Sequence, residues 1–414
     1  MSLHTGSALL LTTLLTGAGI ALTPSPDAVA QTTCTPGVTP ASPADIATAT
    51  AAFADSPSAG LSDTGATGAG VTVAIIDTGI TTHPRLNHRD VEASAPFDRP
   101  DCGGHGTAVA SVIGLQPGDD GLRGIAPGVQ LLDVPQAPHG VTATLETVGA
   151  AVNTALDAGA DVINISLTAC VPGGSRLQPG TLDAALARAE EQGVVVVAAA
   201  GNHSAGCDDT ADVYPAAFPT VISVTATEAT SSTGELAPWA LHPKRPDYLA
   251  AIGTAAVAAS ALGSGLTTTM SAPTGSATEP VPLVGTSFAA PVVTGTVALL
   301  KQLYPQASPA ALRAHLLSTA DPTTHTIHPA RTVATALADA PTPVSDTTDP
   351  ATDSVSGAVT PISAETAPPR LYTRAGWIVV ALLLYAVVAL SVVGIRTGRA
   401  AASAVSTGPS GNRR

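Results

Sequence analysis

Residues 73–79 read Val73-Ala74-Ile75-Ile76-Asp77-Thr78-Gly79. Four apolar residues, three of them β-branched, run into an acid and then a glycine. A short run that is apolar on both alternating faces predicts a strand buried on two sides, as in a parallel sheet covered by helices. The pattern recurs at Val71–Ile76, Val129–Val134, Asp161–Leu167, Val194–Ala200 and Thr220–Ala226. Between these runs, His105–Ile113, Leu145–Ala158 and Thr181–Glu191 read as helices. The alternation predicts an α/β fold: a doubly wound, mostly parallel sheet with helices on both faces. Open sheets of this kind place their sites at the carboxyl ends of the strands, which singles out Asp77.

Two further segments stand out. Gly103-Gly104-His105-Gly106-Thr107 puts a histidine at a predicted helix start, sterically freed by glycines. Gly285-Thr286-Ser287-Phe288-Ala289-Ala290-Pro291 opens an apolar helix that runs to about Tyr304. Each has an ordinary reading alone: an acid capping a turn, a structural histidine, a serine N-cap. Occurring together in the order Asp, His, Ser, they resemble the subtilisin-like serine proteases, the subtilases, over residues 66–338. That resemblance implies a catalytic triad of Asp77, His105 and Ser287 and a serine endopeptidase activity. A serine hydroxyl needs a base within hydrogen-bond reach; His105 would take its proton, and Asp77 would fix the imidazole tautomer.

The resemblance extends to Ala199-Ala200-Gly201-Asn202, where it implies an oxyanion-hole amide from Asn202. It also implies a substrate-binding strand ending at Ser166, Leu167 and Thr168, with Ala200 and Gly201 opposite, on which a peptide adds as a β-strand. Thr168 stands where the family usually has glycine, and a side chain there would reshape the primary specificity pocket. Ala250-Ala251-Ile252-Gly253 stands where Ala-Pro-Gly is usual.

Composition locates the remainder. The 414 residues carry a net charge of −14, 12% charged and 3% aromatic residues, with 39 Gly and 35 Pro. Such an acidic chain lacks the basic footprint of a nucleic-acid binder. Residues 1–30 read as a secretory signal: an apolar run Ala8–Leu22, then Ala28-Val29-Ala30 as a cleavage site. Residues 31–65 read as an N-terminal extension, and 339–370 as a Pro/Thr/Ser/Asp-rich stalk. Residues 375–395 hold 21 residues without a charge, about 31 Å as a helix, enough for one transmembrane span. Arg396, Arg399, Arg413 and Arg414 follow it without an acid. The positive-inside rule puts this 396–414 tail in the cytoplasm and the catalytic domain outside the cell membrane. Residues 31–370 then carry 30 acids against 12 bases, a charge of −18.

The four cysteines, Cys34, Cys102, Cys170 and Cys207, all fall in the exported part. An even count in an oxidising compartment predicts two disulfides, with three connectivities open. Their placement, with the signal, extension, stalk and span, resembles the mycosins, membrane-anchored subtilases of type VII secretion systems. That implies a secretion membrane complex as partner, exported proteins as substrates, and scaffolding of the complex as an alternative role. Neighbouring strands ending near Leu167 and Ala200 favour Cys170–Cys207, leaving Cys34–Cys102, a pattern comparable to the mycosins. No cofactor is expected. Asp208, Asp209 and Asp212 offer calcium oxygens but read as a solvated acidic loop, and no metal is assigned. The glycosylation sequons at Asn164 and Asn202 read as chance matches.

Overall fold

The computed structural model describes residues 36–91, 101–137, 143–173, 180–228, 234–272 and 279–339. In chain order the elements are α1 (Pro43–Ala54), β1 (Thr72–Asp77), β2 (His88–Asp90), α2 (His105–Gly114), β3 (Gln130–Pro135), α3 (Leu145–Asp157) and β4 (Val162–Ile165). There follow β5 (Ala169–Val171), α4 (Thr181–Glu191), β6 (Val195–Ala199), β7 (Asp212–Tyr214), β8 (Val221–Thr227) and β9 (Leu249–Ile252). The last group is β10 (Ala258–Ala259), β11 (Leu266–Thr267), β12 (Thr269–Ser271), β13 (Pro280–Pro282), α5 (Thr286–Leu303), α6 (Pro309–Thr319) and α7 (Pro329–Asp339). The signal at 1–30, residues 340–370 of the stalk, the span at 375–395 and the 396–414 tail lie outside the described residues. Among the described residues no helix is long and apolar enough to cross a membrane.

Seven strands form one sheet in the order β2-β3-β1-β4-β6-β8-β9, and every neighbouring pair is parallel. Side chains alternate across a strand, so each apolar run feeds two cores. Val73, Ile75, Val195 and Val197 pack on one face with residues of α2 and α5. Ala74, Ile76, Val196 and Ala198 pack on the other with residues of α3 and α4. This double burial is why the strands read as continuous rather than alternating hydrophobic runs. It also sets the site. From β1 the chain leaves through α2 on the first face, and from β4 through α4 on the second. Between the carboxyl ends of these two adjacent strands lies the crevice where a doubly wound sheet binds its ligands.

Two strands of this sheet escaped the hydropathy pattern. His88-Arg89-Asp90 is a polar edge strand, held by pairing with β3. Leu249–Ile252 closes the opposite edge within a stretch of loose pattern.

Residues 36–64 are built into the domain. Thr39 exchanges backbone and side-chain bonds with residues 267–269: its N–H donates to Thr269 Oγ1 (2.7 Å) and its carbonyl accepts from Thr268 N (3.0 Å). The N–H of Ala41 donates to the Leu266 carbonyl at 2.9 Å. Ser42 and Asp45 cap each other reciprocally and start α1, with Pro43 in its first turn. That helix buries Ala49 in the same apolar cluster as Val73 and packs Ile46 and Phe53 against it.

Candidate active site

The site is assembled in two halves, one at the end of β1 and one at the ends of β4 and β6. Asp77 is the last residue of β1 and only 2% exposed. Its Oδ1 lies 2.7 Å from Nδ1 of His105, the first residue of α2. An ionised carboxylate can only accept, so Nδ1 carries the proton and Nε2 is left as the base. The N–H of Thr78 also donates to Asp77 Oδ1, at 2.7 Å. Asp77 Oδ2 is buried and accepts no hydrogen bond among the described residues.

The helix that carries His105 begins at Gly104, which has φ +73° and no side chain to cap it. Asp101, fully buried, supplies the cap from outside. Its Oδ1 accepts from Gly104 N (2.9 Å) and Thr78 Oγ1 (2.8 Å), and its Oδ2 from Thr107 N (2.8 Å). These bonds answer orphan N–H groups of the first turn and place an acid at the positive end of the helix. The glycine after His105 has a steric cause: a β-carbon on Gly106 would lie 2.2 Å from the Gly79 carbonyl oxygen. The Gly-His-Gly spacing therefore lets α2 dock directly on the turn that follows Asp77.

A third acid completes this half. Asp133, on β3, is 8% exposed, and its Oδ2 accepts the N–H of Ile80 at 2.8 Å. Its Oδ1 is buried without a hydrogen-bond partner among the described residues. Burial, with like charge from Asp90, Asp101 and Asp77, outweighs the Ile80 bond and pushes its carboxyl up to about 7. Burial also raises Asp101, against its bonds to Thr107 and Thr78. Burial of His105 disfavours its charged form, but the Asp77 charge and hydrogen bond, aided by Asp101, outweigh it and raise its pKa.

The other half is neutral. Ser287 is the second residue of α5. Six residues into that helix stands Pro291, which has no N–H to give the Ser287 carbonyl four residues back. That carbonyl accepts from Ser166 Oγ instead, at 2.9 Å. Ser166 Oγ accepts from Asn164 Nδ2 (2.9 Å), and Asn164 Oδ1 accepts from Thr294 Oγ1 (2.8 Å). A buried chain of uncharged groups thus ties the end of β4 to α5 beneath the serine. Ser287 Oγ donates to the Ser166 carbonyl at 3.1 Å and makes no hydrogen bond to His105 among the described residues. The His105 ring lies beside the residue after the serine, 5.6 Å from the Phe288 ring between centroids.

Asn202 follows β6, and its Oδ1 accepts the Thr286 N–H at 3.0 Å. That contact orients the amide and leaves Nδ2 as a donor beside the start of α5. The Gly201 N–H donates to Thr286 Oγ1 at 3.1 Å, so the turn after β6 and the helix N-terminus hold each other. Ala200 and Gly201 are buried at this junction, Leu167 is half-buried, and Thr168 is exposed. Asn164 is fully buried, out of reach of a glycan.

Cys170 and Cys207 are disulfide-bonded with Cα atoms 5.4 Å apart, tying β5 to the loop after Asn202. Cys102 is disulfide-bonded; the Cys34 end of the expected second bridge lies outside the described residues. The three acids considered for calcium are separately engaged. Asp208 caps Thr210 (2.9 Å), Asp209 accepts from His242 N (3.2 Å), and Asp212 pairs with Lys244 (2.8 Å). Among the described residues no group of three His, Cys, Asp or Glu side chains gathers to hold a metal. Asp101, Asp133 and Thr286 were not among the expected site residues. The signals existed: an acid inside the apolar run 129–134, an acid four positions before His105, and the threonine beside the serine.

Known proteins resemble this chain in sequence and in fold. Mycosin-4 of Mycobacterium tuberculosis (strain ATCC 25618 / H37Rv) is 35% identical over 285 residues, covering 61% of this chain and 60% of Mycosin-4. The match thus spans less than two thirds of that relative. The crystal structure of MycP1 from Mycobacterium smegmatis superposes with a TM-score of 0.60 at 28% identity, covering 82% of this chain and 92% of that one. A chain in the structure of an intact ESX-5 inner membrane complex matches with a TM-score of 0.58 at 25% identity, covering 81% of this chain and 88% of that one. Residues 68–358 match the Subtilase family, Peptidase S8. With that match over most of its length and the β1 and α5 site geometry above, the chain belongs to the subtilase family.

Proposed function

We propose that this protein is a serine endopeptidase of the mycosin type, anchored in the cell membrane by residues 375–395 with its catalytic domain outside and the 396–414 tail in the cytoplasm. The observation that carries the reading is the Asp77–His105 pair, 2.7 Å apart and set beside the N-terminus of α5 that bears Ser287. Catalysis begins with a rotation about the Ser287 Cα–Cβ bond, away from the Ser166 carbonyl and toward His105. His105 Nε2 takes the hydroxyl proton as Oγ attacks the substrate carbonyl carbon. The resulting oxyanion is met by the Ser287 N–H, the Asn202 amide and the positive end of α5. His105 returns the proton to the leaving amine as the C–N bond breaks, giving an acyl-enzyme. Water, deprotonated by the same imidazole, then releases the acid and restores the serine. Asp77 stabilises the imidazolium at both steps. The substrates in this reading are exported proteins, presented as an added strand along Ser166–Thr168. No cofactor enters the mechanism.

The test is labelling by a fluorophosphonate probe, with wild type expected to label and Ser287→Ala expected not to. A wild-type protein that does not label defeats the enzyme reading.

The likeness to a chain within an ESX-5 inner membrane complex favours a second role, stabilising a type VII secretion complex. Ser287→Ala separates the two roles in cells. Secretion retained by the variant and lost on deletion of the protein assigns the essential role to scaffolding.

A further inference from the structure

Asp133, like Asp101, is a buried acid of the site that the mechanism above does not use. It sits on β3, in register with Ile75 of β1 on one side and Asp90 of β2 on the other. A carboxylate there is costly, because burial disfavours its charge and no base offsets it. The charged groups acting on it are Asp90 from β2, Asp101 from the loop before α2 and Asp77 from β1, all acids. Yet one oxygen is committed. Oδ2 holds the Ile80 N–H at 2.8 Å, just past the turn that leaves Asp77. A β-carbon on Gly79 would stand 3.8 Å from Asp133 Oδ2 and 3.9 Å from the Asp101 Cβ. The two acids therefore flank the same turn, and the carbonyl of that turn's Gly79 is what α2 docks against through Gly106.

We propose that Asp133 is a positioning residue for the Asp77–His105 pair, holding the turn after Asp77 through the Ile80 N–H and setting, by its own charge state, how much negative charge faces His105. The inference rests on the proteolytic reading of the site but names a group outside the triad. Its physical basis is twofold. The Ile80 bond fixes the backbone on which Asp77 and α2 both depend. Among the described residues the second oxygen has no hydrogen bond to hold a charge, and burial raises the carboxyl to about 7, so Asp133 gains or loses a proton near neutrality, where the pair must work.

The sign follows from the charges. Activity needs neutral His105, so the acid limb of kcat/KM tracks the imidazole, whose pKa lies above the usual 6.5. Removing an anion from the enclosure weakens the imidazolium and moves that limb to lower pH. One charge acting through a medium of effective dielectric about 20–40 moves such a limb by on the order of half a unit.

The experiment compares Asp133→Asn and Asp133→Ala with wild type. Asn keeps an acceptor for the Ile80 N–H and removes the charge; Ala removes both. The acid limb of probe labelling and of kcat/KM is expected to move down in Asp133→Asn. Asp133→Ala is expected to fall about tenfold or more below Asp133→Asn in kcat with KM little changed. An unshifted limb in Asp133→Asn, or Asp133→Ala equal to it in kcat, overturns the proposal. The His105 ring titration, followed by NMR in wild type and Asp133→Asn, decides the electrostatic half without turnover. A lower imidazole pKa in the variant supports it, and an identical one overturns it. Failure of wild type to label sinks the protease reading and leaves that titration to judge Asp133.

Discussion

The two halves of the site solve different problems with different chemistry. At the end of β1, three buried carboxylates, Asp77, Asp101 and Asp133, crowd one turn and one helix start. At the ends of β4 and β6, the groups around Ser287 are amides and hydroxyls from Asn164, Ser166, Asn202, Thr286 and Thr294. In the proposed mechanism the acidic half handles a proton, and burial raises the Asp133 carboxyl to about 7, so its state changes across neutral pH. In the same mechanism the neutral half handles charge that develops only during reaction, and its supporting bonds from Asn164, Ser166 and Thr294 are in place beforehand. Preorganised dipoles of that kind need no titration to act.

Substitutions can break or sharpen this division. The largest expected effect is Ser287→Ala, which removes the nucleophile and lowers kcat by about six orders of magnitude, the loss seen when a subtilisin loses its serine. Active-site titration with a fluorophosphonate reads it. Next is Asp77→Asn, which keeps the shape but loses the tautomer control over His105; kcat falls by roughly 10⁴, measured with a peptide substrate. Asn202→Ala belongs to the neutral half, and costs about 10²–10³ in kcat with KM nearly constant. Its acid limb stays where the wild type has it; a displaced limb would join the two halves into one electrostatic unit. Asp133→Asn is expected to be the mirror case, a displaced limb with a smaller loss of rate.

Most of this architecture is legible in the amino-acid sequence, for physical reasons. Strands buried on both faces need apolar residues at every position, so β1, β3, β4, β6 and β8 announce themselves. An edge strand needs only its backbone, so His88-Arg89-Asp90 carries no such mark. Helix α1 is built from Ala and Thr with few large apolar residues, too weak a stripe to stand out, and gains its place by docking. Residues with chemistry at a strand end or helix start were visible as motifs. Asp101 and Asp133 left weaker signals, an acid four positions before His105 and an acid inside the apolar run 129–134, because an acid that acts on backbone N–H groups has no motif of its own. The glycines around His105 looked like flexibility; Gly106 is instead required by the Gly79 carbonyl packed against it.

The pairing of the N-terminal segment with residues 266–271 has a consequence for the order of folding. Gly37 N–H and Ser271 Oγ, 2.7 Å apart in space, are 234 positions apart in the chain. Closing a loop of that length costs about 5 kcal/mol in chain entropy, while each hydrogen bond returns only about 0.5–1.5 kcal/mol net. This early segment of the chain is therefore among the last to settle, after the sheet has drawn the ends of that loop together. Because the N–H of Ser271 donates to the Gly103 carbonyl at 2.9 Å, the turn before His105 gains its outer support only at that late step. Pulsed hydrogen exchange during refolding is expected to protect the amides of Gly37, Thr39 and Ala41 after those of β1 and β4. Protection in the reverse order would make the N-terminal segment a template for the domain rather than its closing clasp.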